Sequence, residues 1–296
     1  MSRKAVIVIG SNSTRCIAAD PLSPDDQTMR RRVETRLFLH MRDGFLSEDA
    51  IAETIAGIRS LADQANAPVL GIYATSAVRD ARNAVQLARA IETACGIPLT
   101  VLSGEEEAAA SFYGAAGDKP AGMIDIGGGS TEIATGRNMR VGCTVSLQLG
   151  ASRLFAVHPV NRIEDAVPAL TAAVNACQQI PPALARHDGI DHFYSVGGTG
   201  TACACLMQGV SRKKAQVEGH VLRRDDVFDR FMTIAGIPRD QRGAIPGFPV
   251  SRADILPTGM AILLAVMDKL KLNAVTVTER TNGDGLLLVA SQQKYP

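Results

Sequence analysis

Tryptophan is absent from this 296-residue sequence, and aromatic residues make up only 4% of it. Proteins that hold single-stranded nucleic acid stack bases on aromatic rings, so the composition argues against that class. A surplus of charge is missing too, since the net charge is +1. No broad field draws the chain to nucleic acid or to an acidic membrane, and any polyanion site has to be a local patch. No charge-free apolar stretch reaches the roughly 18 residues of a membrane-spanning helix. The six cysteines form no CxxC pair, and Cys203 and Cys205 are one residue apart, too close for an ordinary bridge. The sequence runs from Met1-Ser-Arg-Lys straight into a strand-like segment, so no signal peptide is expected. The expectation is free thiols in a reducing cytoplasm. The histidines (His40, His158, His187, His192 and His220) show no metal spacing. A Walker-type phosphate loop and a nucleophile-elbow serine motif are both lacking.

What is present reads as an ordinary globular chain, 46% hydrophobic and 21% charged, long enough for about two domains at roughly 100–200 residues each. Ala5 to Ile9 is an apolar run entering the tight polar turn Gly10-Ser-Asn-Ser13, the pattern of a buried strand. Residues 16–40 suggest two strands around a polar turn near Pro21–Asp26. Ser47 is the natural N-cap of a helix from Ala50 to Ala65, with acids in its first turn. Strands are expected at 68–75, 99–102, 123–126, 131–135, 192–196 and 274–278, and a Gly/Thr turn at 197–201. Helices are expected at 83–95, 104–114, 224–236 and 257–270, with a helix-rich stretch over 163–185. The small, turn-rich residues 115–122 mark a boundary, giving lobes 1–118 and 119–296. Alternating strands and helices define an α/β protein. Each half opens with an apolar strand, a Gly/Ser turn and a second strand, which suggests two lobes with facing glycine-rich turns.

The strongest motif is Asp125-Ile-Gly-Gly-Gly-Ser-Thr-Glu132. A carboxylate closes a buried strand, and three glycines allow backbone N–H groups to approach an anion. Ser130 and Thr131 add hydroxyl donors, and Asp125 suits hydrated Mg²⁺. Ser103-Gly-Glu-Glu-Glu-Ala108 sits where a strand meets a helix; one or two of its acids can be capping residues, and a third can act on water. Arg79 or Arg82 in the Ala74–Asn83 segment suits phosphate oxygens. Ser195-Val-Gly-Gly-Thr-Gly-Thr201 suits another phosphate or a nucleoside.

In this order, the segments resemble the exopolyphosphatase / guanosine pentaphosphate phosphohydrolase family nearly end to end. Leu147–Ala151, Arg252-Ala-Asp254 and Asp284-Gly285 match as well. The resemblance implies two actin-like (ribonuclease H-like) lobes with the active site in the cleft between them. It implies hydrolytic release of terminal phosphate from inorganic polyphosphate, usually with Mg²⁺, or conversion of guanosine pentaphosphate. Glu107 matches the base for the attacking water, Glu132 a second carboxylate, and Asp125 a metal- or water-orienting one. Ser11, Asn12, Ser13, Arg79, Gly127, Gly128, Gly129 and Ser130 match phosphate-contacting positions, and Gly197 and Thr201 of the third turn join them. A homodimer is the default assembly, and the length resembles the family's short form. Three positions depart from the pattern: Val8 where an Asp is usual, Ser195 for a glycine, and Asn282-Gly283 for Leu-Arg. The loss at Val8 leaves Asp125 as the carried-over metal ligand and motivates an alternative reading, a weakly catalytic sensor of guanosine tetra- or pentaphosphate or of polyphosphate.

Overall fold

The computed structural model describes residues 3–20, 28–187 and 189–292. The polar turn expected near Pro21–Asp26 lies outside them. The chain divides into two compact units, Met1–Gly114 with Asn282–Pro296, and Ala115–Thr281. The sequence reading ended the second lobe at residue 296 and began it at 119. The structure instead groups residues 282–296 with the first unit and starts the second at 115.

The first unit is built on strands β1 (Lys4–Ile9), β2 (Thr14–Ala19), β3 (Met29–Val33), β4 (Val69–Ala74) and β5 (Leu99–Val101), in the order β3-β2-β1-β4-β5. The first three are antiparallel neighbours, and β4 and β5 join in parallel. Alternate residues of β1 serve different cores. Ala5, Ile7 and Ile9 pack in one cluster with Ile58, Leu61, Leu87 and Ile91 of the helices Glu48–Ala65 and Ala84–Cys95. Val6 and Val8 pack in another with Leu286 and Leu287 of the last helix, Asn282–Gln292. A strand covered on both faces reads as a continuous apolar run rather than an alternating one. That is why β1 stood out in the sequence and the helix covering its second face did not. Ser47 caps its helix as expected, its hydroxyl accepting the Ala50 N–H at 3.1 Å.

The second unit carries β6 (Ala121–Ile126), β7 (Thr131–Arg137), β8 (Arg140–Leu147), β9 (Phe193–Val196), β10 (Val221–Arg223) and β11 (Ala274–Val277), in the order β8-β7-β6-β9-β11-β10. Its first five positions repeat the order and directions of the first sheet: an antiparallel meander, then two parallel strands. The added β10 lies antiparallel at the edge. The helix Leu256–Leu270 is buried almost all round and sits at the centre of this unit's core. Both sheets therefore have the ribonuclease H-like order expected of actin-like units.

Residues 197–201, expected as a turn, are the first turn of the helix Gly197–Gln208. Its three early glycines are poor helix formers, but neighbouring side chains fill the space their Cβ atoms would need. All six thiols are free, as expected, and burial pushes those of Cys177 and Cys203 up to about 12. Among the described residues no helix is long and apolar enough to cross a membrane.

Candidate active site

In the first unit, β1 and β2 are joined by the four-residue turn Gly10–Ser13, closed by the pair Ile9–Thr14. Gly10 N–H donates to the Ser13 carbonyl at 3.0 Å. The carbonyls of Ser11 and Asn12 are taken from outside, by the N–H groups of Phe38 and Arg36, each at 3.0 Å. No backbone acceptor among the described residues takes the N–H of Ser11 or Asn12. With carbonyls tied down on one side, the turn's remaining edge is a row of amide hydrogens, the arrangement that forms anion-binding nests. Ser11, Asn12 and Ser13 are all buried, and both polar atoms of the Asn12 amide lack a hydrogen-bond partner. Buried side-chain amides normally have partners, so this one is set for a ligand.

The three adjacent glutamates separate by role. Ser103 and Glu106 form a capping box: Ser103 Oγ accepts the Glu106 N–H at 3.1 Å, and Glu106 Oε2 accepts the Ser103 N–H at 2.8 Å. Glu105 and Glu106 are exposed, whereas Glu107 is only 6% exposed. Arg79 Nη1 donates to Glu107 Oε2 at 3.1 Å and to the Leu102 carbonyl at 2.7 Å. Arg79 Nη2 is buried with no partner, so half of the guanidinium remains for an anion.

In the second unit the turn Gly127–Ser130 repeats the first. Its closing pair is Ile126–Thr131, and Gly127 N–H donates to the Ser130 carbonyl at 2.9 Å. The Gly127 carbonyl accepts from Ala151, the Gly128 carbonyl from Ser152 and Arg153, and Arg153 Nε reaches the Gly129 carbonyl at 2.7 Å. This close seating depends on Gly150, where a Cβ would come within 2.4 Å of the Gly128 backbone.

Asp125 and Glu132 are directly opposite on β6 and β7, and Ser146 is opposite Glu132 on β8. Directly opposed residues project to the same face. Both carboxylates are buried, and Ser146 Oγ donates to Glu132 Oε1 at 2.8 Å. Asp125 Oδ1 also lies against the start of the helix Gly197–Gln208. Gly197 has φ +86°, and a Cβ there would sit 2.7 Å from that oxygen. On the same turn, a Cβ on Gly198 would lie 1.9 Å from Arg252 Nη2. A cation held at a helix N-terminus opposes the helix dipole, an arrangement that makes sense where an anion joins them. Thr201 Oγ1 turns back to the Gly198 carbonyl at 3.3 Å.

Sequence reasoning missed Arg15, Ser146 and Arg242, and included Gly150 only within the matching Leu147–Ala151 block. Arg15 Nε donates to Ser13 Oγ at 3.3 Å. Arg242 is fully buried and gives its guanidinium to three backbone carbonyls: Ile237 at 3.0 Å, Ala253 at 3.1 Å and Val160 at 2.7 Å. It thereby pins the turn that carries Arg252. Burial lowers its pKa from the usual arginine value. Cross-strand register was the signal for Arg15 and Ser146, and it is not readable from one sequence.

The strand order repeated in the two sheets defines an α/β protein of two ribonuclease H-like units. The comparisons with known proteins give the class a family. The model described as the Ppx/GppA phosphatase family matches residues 27–293, and the chain belongs to that family. Two guanosine-5'-triphosphate,3'-diphosphate pyrophosphatases from Vibrio cholerae O1 strains are 27% identical over 307 residues, spanning 96% of this chain. The chain spans 58% of the length of these curated relatives. A crystal structure of the Aquifex aeolicus Ppx/GppA family member is 25% identical, with TM-score 0.80 over 100% of this chain and 99% of its own. An exopolyphosphatase from Cytophaga hutchinsonii shares the fold, with TM-score 0.83 at 23% identity, over 98% of each chain.

Proposed function

We propose that this protein hydrolyses terminal phosphoanhydrides and releases phosphate from the end of inorganic polyphosphate. The observation that carries this reading is Glu107, a buried carboxylate held by an arginine with one nitrogen still unpartnered. A phosphate oxygen that engages Arg79 competes with Glu107 for the guanidinium and loosens the carboxylate. Glu107 then takes a proton from water, the water oxygen bonds to the terminal phosphorus, and the bridging P–O bond breaks. The electron pair leaves with the shortened chain. Positioning and charge neutralisation supply most of the rate in such transfers. The amide edges of both turns, Ser11, Asn12, Ser13 and Ser130, hold phosphate oxygens, and Gly197 and Thr201 line the second unit's helix start.

Among the described residues, no three or more His, Cys, Asp or Glu side chains group as a metal cage. Mg²⁺ does not require one, because it takes one or two carboxylates and keeps waters and substrate oxygens. Asp125 and Glu132, hard oxygen donors side by side, fit that demand and would hold the ion. There it would neutralise charge on phosphate oxygens.

Guanosine pentaphosphate is the second reading, favoured by the activity in the names of the curated relatives. A panel of long polyphosphate, short polyphosphate and guanosine pentaphosphate, with and without Mg²⁺, separates the two. Phosphate release from polyphosphate, abolished in Glu107→Gln, is expected. Release from none of the three substrates overturns the assignment.

A further inference from the structure

In the second unit, the helix Ala166–Ala176 is turned the wrong way round for a surface helix. Its inward side chains are small: Ala166, Ala169 and Ala173 are buried in the unit's core. Its outward side chains include Val167, Thr171 and Val174, spaced i, i+4 and i+7, which places them in one stripe. Val167 is 67% exposed and Val174 36%. Val157 is exposed as well, and it lines one cleft with Pro168 of the helix. No side chain from Ala166 to Ile180 is charged. The solvent face of a helix normally carries charge. An exposed apolar stripe without it has the composition of an interface centre.

The two ends of the stripe differ in sign. At the start, Arg162 lies 3.8 Å from both Glu164 and Asp165, so one acid is in excess, and Glu164 is 70% exposed. At the far end, Val174 and Gln178 line a second cleft of about 590 Å³ with Arg186, Lys269 and Lys271. Lys269 Nζ donates to Gln178 Oε1 at 3.0 Å, tying this basic rim to the stripe. Asp268, the one acid lining the cleft, is already held by Arg224 at 2.8 and 3.1 Å. Glu164 precedes Thr171 by seven residues, and Gln178 follows it by seven.

A surface with an acidic end, a neutral apolar middle and a basic end matches itself when turned by 180°. That is the isologous contact of a two-fold dimer. A partner carrying one sign of charge would satisfy one end and be repelled at the other. We propose that two copies of this chain meet on this face, with their Ala166–Ala176 helices antiparallel and Thr171 beside the two-fold axis. Val167 and Val174 pack across the middle, and Glu164 of one copy faces the basic cleft of the other.

Sedimentation equilibrium on the intact chain tests it, with thermal melts to establish that each variant is folded. Wild type is expected to be dimeric at about 100 µM. Val167→Glu with Val174→Glu should weaken association at least about tenfold. Glu164→Lys should weaken it less, and Arg186→Glu with Lys269→Glu added to Glu164→Lys should restore it. Under mild oxidation Thr171→Cys should give a disulfide-linked dimer. Val85→Cys, on an exposed helix of the first unit, should give none and controls for the native thiols. A wild type that stays monomeric overturns the inference and leaves the face to a different protein. A dimer that survives the double valine substitution, a charge exchange that does not restore association, or a Thr171→Cys chain that does not cross-link overturns it as well.

Discussion

Gly10–Ser13 and Gly127–Ser130 close the same hairpin with the same internal hydrogen bond, yet one uses a single glycine and the other three. None of Gly127, Gly128 and Gly129 has a positive φ, so the extra glycines are not demanded by the turn's own dihedrals. Both loops are shaped from outside, by backbone N–H groups that take their carbonyls: Arg36 and Phe38 in one unit, Ala151, Ser152 and Arg153 in the other. The second turn is approached so closely by Gly150 that a Cβ on that residue would meet its backbone, while the first carries serine and asparagine side chains.

The comparison can be broken most forcefully at the one carboxylate that belongs to neither turn. Glu107→Gln keeps the shape and removes the proposed base, and the phosphate-release rate should fall roughly 10²–10⁴-fold in protein that is still folded. A rate within threefold of wild type would show that a turn-borne carboxylate does this work instead. Next in size is Arg242→Met. It leaves the carbonyls of Val160, Ile237 and Ala253 without their buried donor, and the loss should reach about 3–5 kcal/mol, read by chemical denaturation.

Gly150→Ala probes the seating of the second turn alone. Its methyl would meet the Gly128 and Gly129 backbone, and overpacking of that kind costs about 1–3 kcal/mol. A melting curve that does not move would mean the loop shifts freely, against the anchoring described above. The smallest effect is expected from giving the second turn the first one's residues, Gly128→Ser with Gly129→Asn. Stability should stay within about 1 kcal/mol, because no left-handed backbone is required. Activity should fall if phosphate needs the bare amide edge.

The sequence made the strands and turns legible because a strand buried on both faces is an unbroken apolar run and the turns are punctuated by glycine and serine. The same punctuation misled at 197–201. Glycine there signalled a loop, but Gly198 yields its space to Arg252 and Gly200 to Ser195, and a helix runs through both. Arg252 is far along the chain, so the reason for the glycines was out of view. Among Glu105, Glu106 and Glu107, only the folded capping box distinguishes the structural acid from the buried one. The rows Val8–Arg15 and Asp125–Glu132 became comparable only through strand register. Asn282–Gln292 escaped notice because Asn-Gly-Asp-Gly reads as a turn.

That last helix has a consequence for synthesis. It covers Val6 and Val8 of the first strand, while the second unit is an uninterrupted stretch, Ala115–Thr281. On the ribosome, domains fold as units as they emerge. Strand β1 must wait, with one apolar face uncovered, for a helix translated after the whole second unit. The second unit can finish folding first. A nascent chain stalled near residue 281 should therefore hold a protease-resistant second unit beside a first unit that is still cleavable.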